Sequence, residues 1–134
     1  MASGLSVWTS LHQHFLSALR IMTGLLFMQH GTSKLLSFPP SQMSGVELTS
    51  MFGLGGMLEL VGGALIVAGL FTRPVAFILS GMMAVAYFRF HAPEGFYPLL
   101  NGGEQAATYC FVFLYLSAAG GGPWSLDKII RKKS

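Results

Sequence analysis

The chain has 134 residues, 52% of them hydrophobic and only 10% charged, and carries a formal net charge of +3. An average soluble domain carries about 25% charged residues, so composition excludes an ordinary water-coated domain, a disordered chain and a collagen-like repeat. The single cysteine, Cys110, allows neither an internal disulfide nor a Cys-x-x-Cys redox pair.

Four apolar stretches follow in chain order, against the roughly 20 residues that cross ~30 Å of hydrocarbon. The first runs over 15–36, with Arg20 near its start and His30 and Lys34 near its end. The second, 51–71, is interrupted only by Glu59. Thr72-Arg73-Pro74 breaks the chain, because proline disfavours helix at the residue before it. A third stretch covers 75–90, and a shorter fourth, 105–119, stops at Gly120-Gly121-Gly122-Pro123. The expected fold class is all-α: an integral membrane four-helix bundle in one domain over 1–134. The start of the chain has no basic region before its apolar run and no small-x-small cleavage site, so the first span is expected to be retained.

Four spans place both termini and the Arg73 turn on one side. That side collects Arg20, Arg73, Lys128, Arg131, Lys132 and Lys133, six of the eight basic residues. The positive-inside rule makes it cytoplasmic, in a bacterial inner membrane, with the loops near 37–50 and 91–104 facing outward. Four of those six cations sit in the last seven positions. That placement reads as a membrane-face tail, and the pI near 9.3 is therefore not taken as a nucleic-acid signal. Arg20 and Arg73 read as topology determinants, Trp124 as an interfacial anchor, and Ser125-Leu126-Asp127 as a helix start. The segment Pro93-Glu94-Gly95-Phe96-Tyr97-Pro98 is expected to fold as a lid or re-entrant loop.

Charged groups inside spans turn toward protein or a wet cavity. Glu59 has glycines at 55, 56, 62 and 63, which helical spacing places on its own face. Glycine faces let membrane helices approach closely, so Glu59 points into the bundle. His30 and Lys34 are four apart and share a face, ~9 Å and ~3 Å deep from a span end near Leu36. Glu59 lies ~12 Å down from the same surface. Tyr87 and His91 pair likewise on the third span, and Asn101, Glu104 and Gln105 open the fourth. The predicted product is an outward-facing polar pocket, ringed by Phe27, Phe52, Tyr87, Phe96 and Tyr109. Each residue has a plainer reading: an interhelical carboxyl for Glu59, a core histidine for His30, snorkelling for Lys34, and packing for the aromatics.

Three stretches together resemble the DoxX family of small four-span bacterial membrane proteins. They are Leu19-Arg20-Ile21-Met22-Thr23-Gly24 with His30-Gly31 and Lys34-Leu35; Glu59-Leu60-Val61-Gly62-Gly63 with Gly69-Leu70 and Thr72-Arg73; and Asn101-Gly102-Gly103-Glu104 through Gly122-Pro123-Trp124-Ser125-Leu126-Asp127. The resemblance implies a four-helix membrane bundle associated with quinone-linked sulfur oxidation or with thiol and quinone stress. The missing cysteine pair argues against dithiol chemistry in this chain.

The favoured functional reading is a redox-associated subunit that binds a quinone-like or other lipid-soluble molecule and works with a redox partner protein. A quinone head needs hydrogen-bond donors at its carbonyl oxygens and a route for protons. Glu59, His30 and His91 are the candidate proton-handling residues, and Lys34, Asn101, Glu104, Tyr87 and Phe27 the candidate ligand contacts. Electrons must come from another protein or a bound cofactor, because no flavin, nicotinamide or iron–sulfur fingerprint is present. No tight ligand motif supports haem or a metal. The alternatives are a non-enzymatic scaffold or assembly factor and, behind it, a small transporter. Enzymatic activity, the resident cofactor and self-association as a homo-oligomer stay open at this point.

Overall fold

The computed structural model describes residues 4–41, 44–45, 47 and 49–131; the tail cations Lys132 and Lys133 lie outside the described residues. The elements are α1 (Gly4–Leu36), α2 (Met51–Ala68), α3 (Thr72–Ala86), a π-turn (Tyr87–His91), a 3-10 turn (Ala92–Glu94), α4 (Pro98–Asn101), α5 (Glu104–Ala119) and α6 (Leu126–Arg131). No strand occurs among the described residues, and the chain is all-helical. Two stretches, Met51–Ala68 and Thr72–Glu94, are long and apolar enough to cross a membrane. The predicted fourth span is α5, whose 16 residues reach ~24 Å, short of a hydrocarbon core. The predicted first span lies inside the 33-residue α1, where Gln29, His30, Thr32, Ser33 and Lys34 dilute its apolar character. The expectation of four crossings is thus met by length and composition in two helices only.

Local chemistry sets the helix ends. The Ser50 hydroxyl accepts the Gly53 N–H at 3.0 Å and caps α2. Gly69, at φ 71°, closes α2 with its N–H on Leu65 and Ile66, a left-handed cap that glycine adopts without strain. α3 then begins at Thr72, ahead of the expected 75, with Pro74 tolerated in the first turn.

The helices associate as two pairs, α1 along α2 and α3 along α5, with α1 and α5 touching only slightly. Glycines seven residues apart hold the first pair. A Cβ on Gly31 would lie 2.5 Å from Leu60 N and 2.6 Å from Gly56 O, and one on Gly63 would lie 2.9–3.1 Å from Met28. Gly24 meets Val67 in the same way. The two backbones therefore touch. The glycine face expected around Glu59 divides: Gly56 and Gly63 face α1, whereas Gly62 faces Leu79 of α3. In the second pair Ser80 Oγ donates to Cys110 O at 2.7 Å, and Phe113 and Leu116 are fully buried.

Burial in α2 is inverted relative to a water-soluble helix. It buries Gly53, Gly56, Glu59, Gly62, Gly63 and Ile66, while Leu54, Met57, Leu58 and Val61 are exposed. Small and polar residues inside with large apolar residues outside is the arrangement of a helix solvated by lipid.

Arg20 does more than mark topology. Its side chain is fully buried. Nε donates to Ile66 O at 2.9 Å, and the guanidinium also donates to Trp124 O at 2.6 Å and to Gly121 O. One side chain thus satisfies a carbonyl near the α2 end and ties down the Gly120–Trp124 loop. Beside it Asp127 accepts the Phe71 and Thr72 N–H groups at 2.8 and 2.9 Å, capping α3 from 55 residues away in sequence. Burial pushes this carboxyl up, but those amides, the Thr72 side chain and the Arg131 charge outweigh it and hold Asp127 below its ordinary 3.8.

Two outcomes follow from this packing. Gly31→Ala should destabilise the fold by about 1–3 kcal/mol, since its Cβ meets backbone that cannot move aside. Gly81→Ala meets nothing within 4 Å and should stabilise by up to about 1 kcal/mol through helix propensity; thermal unfolding in detergent checks both. Asp127→Asn should cost about 1 kcal/mol. Because the folded carboxyl is depressed, the stabilisation that its charge adds is complete above an ordinary carboxyl pKa of 3.8 and is lost as pH falls through the lower folded value. The stability difference between the parent protein and the Asp127→Asn variant should therefore shrink on acidification below that point.

Candidate functional site

Around Gly31, α1 carries Gln29, His30, Ser33 and Lys34 toward the start of α5. They line a cavity of about 340 Å³ with Leu26, with Pro39 and Ser41 of the following loop, and with Gln105 and Tyr109 of α5. The cavity lies at the seam between the two helix pairs, where α1 and α5 are held least closely. Its size is at the low end of small-molecule sites.

Lys34 links this cavity to Glu59. Its ammonium lies 2.9 Å from Glu59 Oε1, with side chains 16% and 7% exposed. That oxygen has no hydrogen-bond partner of good geometry among the described residues, so the lysine charge is what compensates it. Removing one member of such a buried pair leaves an uncompensated charge, at a cost of about 3–5 kcal/mol when burial is complete. The partial exposure of Lys34 lets its head reach water and lowers the cost on that side.

The donors facing the cavity are largely unengaged. Ser33 Oγ donates to Ser41 Oγ at 2.6 Å. The His30 ring meets Tyr109 edge-on, with centroids 6.2 Å apart, and no other described residue takes a hydrogen bond from His30, Gln105 or the Tyr109 hydroxyl. Three polar groups and one charged group thus converge on one space, able to hold carbonyl or hydroxyl oxygens of a guest.

The residues singled out from sequence separate into two places. His30, Lys34 and Glu59 come together, Lys34 standing between the cavity and the carboxylate. Phe27 is 1% exposed and packs edge-on against Tyr109 and Phe113, in the core behind Tyr109, and does not line the pocket. Tyr87, His91 and Asn101 form a separate cluster. Asn101 donates to the Tyr87 hydroxyl at 3.1 Å and to Gly95 O at 2.9 Å, and its Oδ1 accepts Gly103 N–H at 2.8 Å. His91 Nδ1 lies 3.2 Å from Asn101 O. These bonds fold the 91–104 segment, as expected of a structured loop, and leave Asn101 little capacity for a ligand. Tyr87 and His91, expected to pair, do stay together, with ring centroids 6.3 Å apart at the π-turn, but away from the cavity of His30. Glu104 is exposed at the start of α5 and borders neither cluster. Of the five aromatics expected to ring the pocket only Tyr109 lines it; Phe52 packs on Phe90 and Phe96 is 84% exposed. Gln105, expected at the polar opening of the fourth stretch, does line the cavity, whereas Gln29, Ser33 and Ser41 line it without a sequence signal, since neutral polar residues near a span end carry nothing distinctive.

No group of three or more metal-ligating side chains occurs among the described residues. No solved structure matches the chain. A Haemophilus influenzae protein named only as uncharacterised is 45% identical over 90% of this chain and 93% of its own. The inner membrane protein YqjF of Escherichia coli is 30% identical over 85% of this chain and 90% of its own. An uncharacterised membrane protein of Mycobacterium tuberculosis is 26% identical over 87% and 81%. The DoxX family description matches residues 15–92. With its lipid-facing apolar surface and relatives named as membrane proteins, the chain belongs to the DoxX family of membrane proteins.

Proposed function

We propose that this protein is a redox-associated subunit of the bacterial inner membrane that holds a quinone-like or other lipid-soluble molecule in the cavity between α1 and α5. The observation that carries the reading is the convergence of His30, Gln105 and Tyr109, with Lys34, on about 340 Å³ of space beside lipid-facing helices. A quinone head has two carbonyl oxygens that accept hydrogen bonds; the Gln105 amide, the Tyr109 hydroxyl and a His30 N–H are suited to supply them. Reduction of the head takes up protons, and the Lys34–Glu59 pair behind the cavity is a group that can pass them. The chain would bind and orient the guest and manage protons, with electrons supplied by a redox partner protein.

In this reading α1, α2, α3 with its π-turn, and α5 form a four-helix membrane bundle, both termini are cytoplasmic, and the cavity opens outward. The six-to-two distribution of basic residues supports that orientation. A second reading, a scaffold for a redox complex, draws support from the same Lys34–Glu59 bond, which by itself ties α1 to α2.

Binding separates the two. Decylubiquinone added to the purified protein in detergent should raise its melting temperature. Gln105→Leu combined with Tyr109→Phe should weaken the midpoint of that effect about tenfold or more, as expected for the loss of two buried hydrogen bonds. No shift in the parent protein, or the same midpoint in the variant, would favour the scaffold. Orientation is read in intact cells from single cysteines in a Cys110→Ser background: Ser41→Cys and Gly95→Cys should react with an impermeant maleimide, and Lys128→Cys should react only after lysis.

A further inference from the structure

The end of the molecule opposite the cavity has a different chemistry. Here the turn into α3, the loop after α5 and the start of α6 enclose a crevice of about 90 Å³, lined among others by Arg73, Pro74, Gly120 and Arg131. Both arginine side chains are exposed, and Arg73 donates to Ala118 O with the rest of its guanidinium available. The one acid at the crevice, Asp127, is already engaged by the amides of Phe71 and Thr72. Local charge is therefore unbalanced: Arg20, Arg73, Lys128 and Arg131 lie at this end with a single carboxylate, which interacts with Arg20 and Arg131, and Lys132 and Lys133 follow in sequence. At the far end the balance is reversed, with Glu47, Glu59, Glu94 and Glu104 against Lys34 and Arg89.

The apolar surroundings specify what kind of anion fits. Trp124, three residues after Gly121 of the crevice wall and with its ring edge-on to His14, is 54% exposed, and Ile129 and Ile130 of α6 are 69% and 65% exposed. Phe77, one helical turn along α3 from Arg73, is 64% exposed. An anion bound between Arg73 and Arg131 would have hydrocarbon surface running away from it along α3, and a short basic helix next to it. We infer that this crevice is a headgroup site for an anionic phospholipid, the phosphate held between the Arg73 and Arg131 guanidinium groups and an acyl chain lying over Phe77. Guanidinium groups are suited to phosphate by their paired, planar donors, and a short basic helix with exposed isoleucines, preceded in the chain by an exposed tryptophan, has the composition of an interfacial element. The site rests on membership in a membrane family and on charge complementarity, and is independent of the quinone reading.

Trp124 provides the probe. In a Trp8→Phe background, the protein is reconstituted into vesicles of phosphatidylcholine with increasing brominated phosphatidylglycerol, and separately with brominated phosphatidylcholine. Bromine quenches tryptophan on contact, so relative quenching reports relative occupancy next to Trp124. The expected result is preferential quenching by the anionic lipid, falling about fivefold for each arginine replaced in Arg73→Gln and Arg131→Gln. Because Arg73 also holds the loop after α5, Arg131→Gln alone, at an exposed position in the last turn of α6, serves if the double variant does not fold. Equal quenching by the two lipids in the parent, or an unchanged preference in Arg131→Gln, overturns the proposal. Loss of the preference on adding millimolar inorganic phosphate at constant ionic strength would identify a soluble-phosphate site and overturn it too.

Discussion

Glycine at 24, 31, 56 and 63 lets the backbones of α1 and α2 touch, and most of the molecule is arranged around that contact. For a helix surrounded by lipid, moving a leucine from hydrocarbon to protein interior releases little free energy, so association must come from close packing and from polar ties. Both are present. The glycines bring α2 near enough to α1 for Lys34 to reach Glu59 across the interface at 2.9 Å. At the other end the same pairing presents Ile66 O to Arg20 at 2.9 Å. An added methyl at Gly31 would disturb both polar ties together, because they lie on either side of one rigid seam.

The two ends use their charges differently. At the Arg20 end the guanidinium and the Asp127 carboxylate are bound to backbone: Arg20 to carbonyls of the α2 end and the loop after α5, Asp127 to the first amides of α3. Backbone groups at helix ends need partners wherever water is scarce, and here two long-range side chains provide them. At the Lys34 end a charge binds a charge, and His30, Gln105 and Tyr109 beside it face a cavity. The first arrangement fixes helix ends in place; the second leaves donors unspent.

Much of this is readable from the residues. Composition and the apolar stretches indicate an all-helical membrane chain, and the glycines flanking Glu59 indicate that it faces inward. His30 and Lys34 fall beside it as expected because helical spacing holds throughout α1. The failures have physical causes. Arg20 reads as a topology marker because its partners are carbonyls 46 to 104 residues away, and a carbonyl has no sequence signature. Asp127 as a cap for α3 is hidden for the same reason. His91 and Asn101 do not share the cavity of His30: depth along a helix follows from counting, while position around the bundle depends on which helices pair. Gln105 is expected at the polar opening of the fourth stretch, but Gln29 and Ser33 emerge only from what they surround.

The pairing of α1 with α2 and of α3 with α5 also has a mechanical consequence. Stiffness is concentrated within each pair, where glycine backbones touch or a serine bonds across to a carbonyl. Between α1 and α5 contact is slight. A small rocking of one hairpin against the other would widen that seam without breaking the glycine contacts or the Lys34–Glu59 bond, since both lie within the first hairpin. The seam is compliant where it opens into the cavity; farther along, Phe27 packs on Tyr109 and Phe113, and Arg20 ties α1 to the loop after α5. Under the proposed function, a guest dissolved in the bilayer would enter sideways at that opening, at the cost of displacing acyl chains and with no need to pass through water.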